Sequence, residues 1–176
     1  MKRRRVPRGP VETSSAPGAE AYEDHALDRL LARARSRLAR LQPSEVLDAV
    51  RRGGTVVDIR PEFQRRSGGE IPGAIIVERN HLEWRLHPAS SGRIEEAAGV
   101  ERQWIVICDE GYSSSLAAAT LQLIGLHRAT DVAGGFQAWR AAGLPVVHPG
   151  SPTPPRLAPA PPAGESRPDA EDPVGT

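Results

Sequence analysis

The sequence predicts an α/β fold, with a small parallel sheet of about five strands and helices on both of its faces. Short apolar runs rich in β-branched residues alternate with segments whose apolar residues recur at helical spacing. Glycine pairs and prolines fall between these segments, where turns are needed. The pattern occupies roughly residues 24–148, a usual size for one domain.

The composition limits the classes of partner. The chain has 176 residues, a formal net charge of +1, 39% hydrophobic residues and one cysteine. A net charge this small creates no field that favours nucleic acid, so we expect no nucleic-acid partner. A single cysteine excludes an internal disulfide and fits a reducing compartment, and no window is long enough to cross a bilayer. The sequence therefore predicts a cytoplasmic protein without a membrane span.

The two ends of the chain differ from its middle. Residues 1–22 are rich in Arg, Pro, Gly, Ser and Glu and predict a disordered basic tail. Residues 149–176 consist mostly of Pro, Ala, Ser, Gly and charged residues and predict a second disordered tail. Residues 42–148 form the predicted domain, and residues 23–41 precede it as a helical extension.

The extension carries an apolar stripe on an amphipathic helix. Its apolar residues recur at three- and four-residue steps: Leu27, Leu30, Leu31, Ala34, Leu38 and Leu41. Arginines occupy the other faces, and the acidic start and basic end suit the helix dipole. A basic amphipathic helix can bind a membrane surface or a partner. Here we expect the stripe to pack on its own domain.

The elements of the domain follow in a regular order. A helix opens at Pro43, because proline suits the first helical position, and ends at Gly53 and Gly54. Strands are predicted over residues 55–59, 74–77, 104–107 and 129–132, and further helices over residues 78–86, after Cys108 and after Gly134. The three tryptophans, Trp84, Trp104 and Trp139, are expected in the core rather than on a stacking platform.

Cys108 is the candidate nucleophile. It ends the predicted strand 104–107 and is followed by a short loop and a helix. Chemistry in open parallel sheets collects outside the carboxyl ends of the strands. Helix amino termini at that edge offer unpaired N–H groups that favour a thiolate. The competing interpretation is a buried structural cysteine, the commonest role of a lone thiol.

The loop after Cys108 is the candidate substrate-binding segment, made of Asp109, Glu110, Gly111, Tyr112, Ser113 and Ser114. Gly111 lets the backbone curl with its N–H groups inward, forming a nest that stabilises a negative sulfur. The hydroxyls of residues 113–115 are placed to cap the next helix and to donate to the sulfur. Tyr112 either forms part of the pocket wall or lies exposed.

Charged residues outside the loop are candidates for a supporting role. Asp58 and Arg60, with Glu62, either form ion pairs that shape the site or have a purely structural role, and we favour the structural role. Arg79 either supplies positive charge to the pocket or forms a surface ion pair. The five histidines lack metal-ligand spacing, so no metal site and no cofactor are expected.

Four segments together resemble the rhodanese-like sulfurtransferase family. They are residues 57–60 with Glu62 and Phe63, the turn at residues 71–74, the loop that starts at Cys108, and residues 134–139 with residues 143–146. The resemblance covers about residues 41–147. It implies that the Cys108 thiolate takes a sulfane sulfur from a small donor or a protein persulfide, holds it as a persulfide with loop N–H groups, and passes it to a nucleophile.

The loop differs from two related loop patterns, and each difference bears on an alternative function. Family loops that act on thiosulfate commonly carry basic residues, whereas this loop has Asp109 and Glu110, which repel a dianion by on the order of 1 kcal/mol each. The alternative function is therefore a catalytically weak or inactive rhodanese-like module for partner binding or redox sensing. A dual-specificity phosphatase of this fold would need an arginine at position 114 to clamp phosphoryl oxygens, and Ser114 stands there.

Overall fold

A four-stranded parallel sheet forms the centre of the computed structural model, which describes residues 25–148. The strands are β1 (Thr55–Asp58), β2 (Ile75–Ile76), β3 (Trp104–Ile107) and β4 (Thr130–Asp131), in the spatial order β2-β1-β3-β4. A parallel bridge between Leu41 and Val132 adds one extended segment beside β4. The prediction of about five strands is therefore approximate. The predicted tails, residues 1–22 and 149–176, lie outside the described residues.

Helices cover both faces of this sheet. They are α1 (Ala26–Arg35), α2 (Pro43–Arg51), α3 (Glu62–Gly68), α4 (Leu82–Leu86), which a 3-10 turn (Arg79–His81) precedes, α5 (Ser113–Leu123) and α6 (Gly135–Ala141). One buried cluster joins Val57 and Val106 to α4 and α5, and the other joins Val56 and Ile105 to α2 and α6. The predicted α/β class with helices on both faces is confirmed. None of the helices between residues 25 and 148 is long and apolar enough to span a membrane.

The central strand β3 places the cysteine. All four of its residues are fully buried, which explains why the run from Trp104 to Ile107 is continuously apolar rather than alternating. β1 and β4 flank it, with Asp58 opposite Ile107 and Asp131 opposite Val106. The carboxyl ends of these three strands therefore meet at one edge of the sheet, immediately before the loop that follows β3.

The helical extension is shorter than predicted. The helix ends at Arg35 instead of continuing to residue 41, because the segment that follows bonds to the edge of the sheet. Leu41 N–H donates to the Asp131 carbonyl at 3.0 Å, and the Thr130 hydroxyl donates to the Ala39 carbonyl at 2.8 Å. These bonds compete with continuation of the helix.

The apolar stripe of α1 packs on the domain only in part. Leu31 and Ala34 are buried, and α1 packs against α5. Leu27 and Leu30 remain 69% and 52% exposed. The expectation that the whole stripe packs on the domain is therefore only partly met.

One helix was not predicted, and one further expectation was wrong. The helix α3 was not predicted, because residues 62–68 lack apolar periodicity and the buried residue of this helix is Arg65. Trp84 is 64% exposed instead of lying in the core, whereas Trp104 and Trp139 are fully buried as expected. Trp84 lies outside the hydrophobic core because Leu82 and Leu86 occupy the core-facing side of the short helix α4.

Candidate active site

The loop after β3 curls around the thiol of Cys108, a residue that is 6% exposed. Gly111 has φ +78°, and Tyr112 follows with φ −93° and ψ −64°. A left-handed residue followed by a right-handed one turns successive N–H groups towards one side, which makes an anion-binding nest. A Cβ on Gly111 would lie 2.9 Å from the Gly134 nitrogen, so both φ and space require glycine there.

Two backbone N–H groups point at the sulfur. Gly111 N–H donates to Cys108 Sγ at 3.1 Å and Ser114 N–H donates at 3.3 Å. The Ser114 hydroxyl oxygen lies 3.2 Å from Sγ. The two N–H donors are uncharged, and the backbone of the loop and of the first turn of α5 fixes their positions. They can stabilise a thiolate, or the anion of a persulfide, without a cationic side chain in the loop.

A buried carboxylate lies directly beneath these donors. Asp131 is fully buried at the end of β4 and accepts hydrogen bonds from the hydroxyls of Ser115 at 2.7 Å and Ser114 at 3.3 Å. Arg40 binds the same carboxylate with two nitrogens, Nε at 2.8 Å and Nη2 at 3.1 Å. The Arg40 guanidinium therefore compensates the negative charge of Asp131, which would otherwise lie uncompensated close to the sulfur.

The start of α6 holds the other side of the loop. Phe136 N–H donates to the Cys108 carbonyl at 2.9 Å, and Gln137 N–H donates to the Asp109 carbonyl at 3.0 Å. A Cβ on Gly135 would approach both carbonyl oxygens to 2.6 Å. The glycine at this position therefore allows the backbone of α6 to come close to the loop.

The acidic side chains of the loop lie at its rim. Both Asp109 carboxylate oxygens accept from the Gln137 side-chain amide at 3.1 Å. Glu110 and Ser113 are exposed, and the ring of Tyr112 is exposed with the Arg35 guanidinium 5.5 Å from its centroid. Asp109 is thus engaged by α6.

The serine hydroxyls do not cap α5, whose first turn has no side-chain cap. Ser114 and Ser115 instead donate to Asp131, and the Ser115 hydroxyl oxygen also lies 2.9 Å from the Gly111 carbonyl oxygen. Their hydroxyl protons are directed to the buried acid, and their oxygens accept no N–H group of the first turn of α5.

Asp58 and Arg60 form a buried ion pair next to the site, with 2.7 Å between Oδ2 and Nη2. Arg60 also donates to the Gly69 carbonyl at 2.9 Å, and its guanidinium carbon lies 3.4 Å from the centroid of the Phe136 ring. The pair therefore supports the α6 wall of the site. Glu62 is not part of it, because its carboxylate pairs with a neighbouring arginine of the exposed side of α3.

Two roles were predicted for Arg79, pocket charge and a surface ion pair, and the structure shows the surface ion pair. Its Nη1 donates to both Glu83 carboxylate oxygens, at 2.9 and 3.1 Å, and the Arg79 side chain is 39% exposed.

Sequence reasoning missed the residues that support the loop from behind. Arg35, Arg40 and Asp131 were not selected. The two arginines lie 76 and 71 residues away in sequence from Gly111, the loop residue that they contact. Asp131 had a usable signal, since it lies near the carboxyl end of a predicted strand beside β3. The arginines had none. Residues 25–148 contain no cluster of three or more His, Cys, Asp or Glu that could hold a metal ion.

Comparison with known proteins identifies a family and named relatives of this chain. The rhodanese-like domain family matches residues 42–142, which is more than half of the chain. A thiosulfate sulfurtransferase, GlpE of Pseudomonas entomophila strain L48, is 32% identical over 106 residues, covering 60% of this chain and 88% of its own. GlpE of Pseudomonas putida strain GB-1 is 34% identical over 107 residues, with the same coverage of both chains.

Solved structures share the fold. A Rhodopseudomonas palustris protein of unknown function, described as a possible tyrosine phosphatase, aligns with TM-score 0.64 and 29% identity over 73% of this chain and 99% of its own. The polysulfide-sulfur transferase of Wolinella succinogenes aligns with TM-score 0.57 and 18% identity, over 73% of this chain and 91% of its own. The family match and the GlpE similarities together establish that the chain belongs to the rhodanese-like domain family.

Proposed function

We propose that this protein is a sulfurtransferase that carries a sulfane sulfur on Cys108. The observation that supports it most directly is the pair of backbone N–H donors at 3.1 and 3.3 Å from Sγ. A thiol that served only to fill the core would not need two oriented donors, whereas a nucleophilic thiolate and a persulfide anion both do.

The proposed reaction has two steps. The Cys108 thiolate attacks the outer sulfur of a donor such as thiosulfate, the donor S–S bond breaks, and sulfite leaves with the electron pair. A nucleophilic acceptor, for example cyanide or a thiol, then attacks the outer sulfur of the persulfide, and Cys108 leaves as the thiolate. No external oxidant or reductant enters the cycle, and no cofactor is expected. Free Cys108 has to stay reduced, which fits the expected cytoplasmic location.

Phosphoryl transfer is not supported by the same loop. The possible tyrosine phosphatase among the structural relatives raises that alternative. Ser114 is fully buried, and its hydroxyl contacts the sulfur and Asp131. A serine hydroxyl offers a single donor and no charge, so it cannot replace a guanidinium fork that grips phosphoryl oxygens in the transition state.

Intact-mass measurement tests the proposal directly. The reduced protein is incubated with thiosulfate and, separately, with a low-molecular-weight persulfide. We expect one added sulfur atom, its loss on addition of cyanide, and no addition in Cys108→Ser. If neither donor adds a sulfur to the wild-type protein, the sulfurtransferase proposal is wrong, and the alternative of a module for partner binding or redox sensing is favoured.

The acidic rim is proposed to weaken the use of thiosulfate. Glu110 is exposed, so its neutralisation should leave the loop in place, whereas Asp109 is bonded to Gln137. We expect Glu110→Gln to raise the rate of sulfur uptake from thiosulfate by roughly fivefold, from the removal of one like charge near the surface. Glu95→Gln, at an exposed position in another loop, is the matched control. Equal rates in both variants would show that the rim charge does not affect the donor.

A further inference from the structure

The carbonyl oxygen of Gly111, on the outer side of the loop, accepts hydrogen bonds from two arginine side chains. Arg35 Nη2 donates to it at 3.0 Å and Arg40 Nη2 at 3.4 Å. The Ser115 hydroxyl oxygen, whose single proton faces Asp131 at 2.7 Å, lies 2.9 Å from the same carbonyl oxygen. Both arginines lie before residue 42, where the family match begins. A segment outside the family domain therefore contacts the backbone of the sulfur-binding loop.

The orientation of this carbonyl fixes the peptide unit that follows it. The peptide between Gly111 and Tyr112 is trans, so its C=O and its N–H point in opposite directions. With the carbonyl held towards Arg35, the Tyr112 N–H points to the inner side of the nest. That N–H has no hydrogen-bond partner among residues 25–148. It is therefore available to an additional atom bound beyond Sγ, where the outer sulfur of a persulfide would lie.

Arg35 is well placed to keep the peptide in this orientation. It is the last residue of α1, and that helix is fixed to the domain by its packing on α5. Its Nε also donates to the Ser115 hydroxyl at 3.3 Å, and its guanidinium lies over the Tyr112 ring. A charged donor to a carbonyl makes a stronger bond than a neutral one, so Arg35 strongly resists rotation of the peptide.

We propose that Arg35 is a positioning residue for sulfur transfer, which acts by holding the Gly111 carbonyl outward so that the Tyr112 N–H faces the transferred sulfur. This inference rests on the proposed sulfurtransferase function. It makes α1 a functional part of the active site. It also explains how a loop without Lys or Arg is held by positive charge from another part of the chain.

The test compares three variants of the full chain. Arg35→Gln removes the guanidinium, and Arg35→Lys keeps a cationic donor. Arg33→Gln makes the same change at an exposed position of the same helix and is the matched control. For each variant we would measure sulfur uptake from thiosulfate, alkylation of Cys108 by neutral iodoacetamide and by anionic iodoacetate, and the midpoint of thermal unfolding.

We expect Arg35→Gln to lower the rate of sulfur uptake about tenfold, because the variant loses one hydrogen bond between a charged donor and the loop. Alkylation should fall by a similar factor with both reagents, because a rotated peptide directs its carbonyl towards Sγ. Arg35→Lys should recover part of each rate, and Arg33→Gln should stay close to wild type. The thermal midpoint should separate these effects from loss of the fold.

Two results would overturn the positioning role. One is equal behaviour of Arg35→Gln and Arg33→Gln. The other is a fall confined to iodoacetate, which would show that Arg35 attracts anions and does not position the loop. If the wild-type protein takes up no sulfur, the sulfurtransferase proposal fails by itself. The iodoacetamide rates still decide whether Arg35 holds the loop around the thiol.

Discussion

The ion pair beneath the loop allows a quantitative prediction for Arg40→Gln. Asp131 is fully buried, and its carboxylate has two hydroxyl donors besides the two nitrogens of Arg40. Removing one partner of a buried pair costs about 3–5 kcal/mol, because the remaining charge is left without compensation. The Arg40 side chain is 21% exposed, so water can reach the vacated space. We therefore expect a loss near the lower end of that range, about 3 kcal/mol.

Urea unfolding followed by circular dichroism measures this loss, provided that the transition is two-state. The matched control is Arg51→Gln, whose ion pair with Asp48 is exposed on both sides and should contribute less than about 1 kcal/mol. Asp131→Asn combined with Arg40→Gln should cost less than the sum of the two single variants, because the pair is removed together. A loss below about 1 kcal/mol for Arg40→Gln would refute the claim that Asp131 depends on Arg40.

Three further predictions follow from local geometry. Gly111→Ala should abolish sulfur uptake measured by intact mass, because its Cβ would approach the Gly134 nitrogen and φ is positive; uptake at the wild-type rate would contradict the nest. Ser114→Ala should retain uptake but slow it roughly tenfold, since the N–H remains and only the hydroxyl is lost. Trp104→Ala should lower the free energy of unfolding by about 3–5 kcal/mol in urea titration, whereas Trp84→Ala, at an exposed site, should change it by no more than about 0.5 kcal/mol.

The elements nearest the cysteine could be predicted because their signals are local. The continuous apolar run of β3 and the glycine pair at the start of α6 each reflect a requirement of the adjacent backbone, burial on both faces in one case and close approach in the other. Pro43 at the start of α2 is also a local signal, because proline suits the first position of a helix. Where the deciding contact is distant, prediction was poorer. The helix α1 ends at Arg35 because the next residues bond to β4, and nothing within the extension indicates that partner.

The same distinction applies to the charges of the site. From the sequence, the loop was judged by its own side chains, and Asp109 and Glu110 made it acidic. In the folded chain, Asp109 is engaged by Gln137, while Arg35 and Arg40 reach the loop from more than 70 residues away in sequence. The electrostatic character of a backbone nest depends on every group that contacts it, from whichever element it comes. Counting charges within the loop therefore underestimates how well this site can stabilise a negative sulfur.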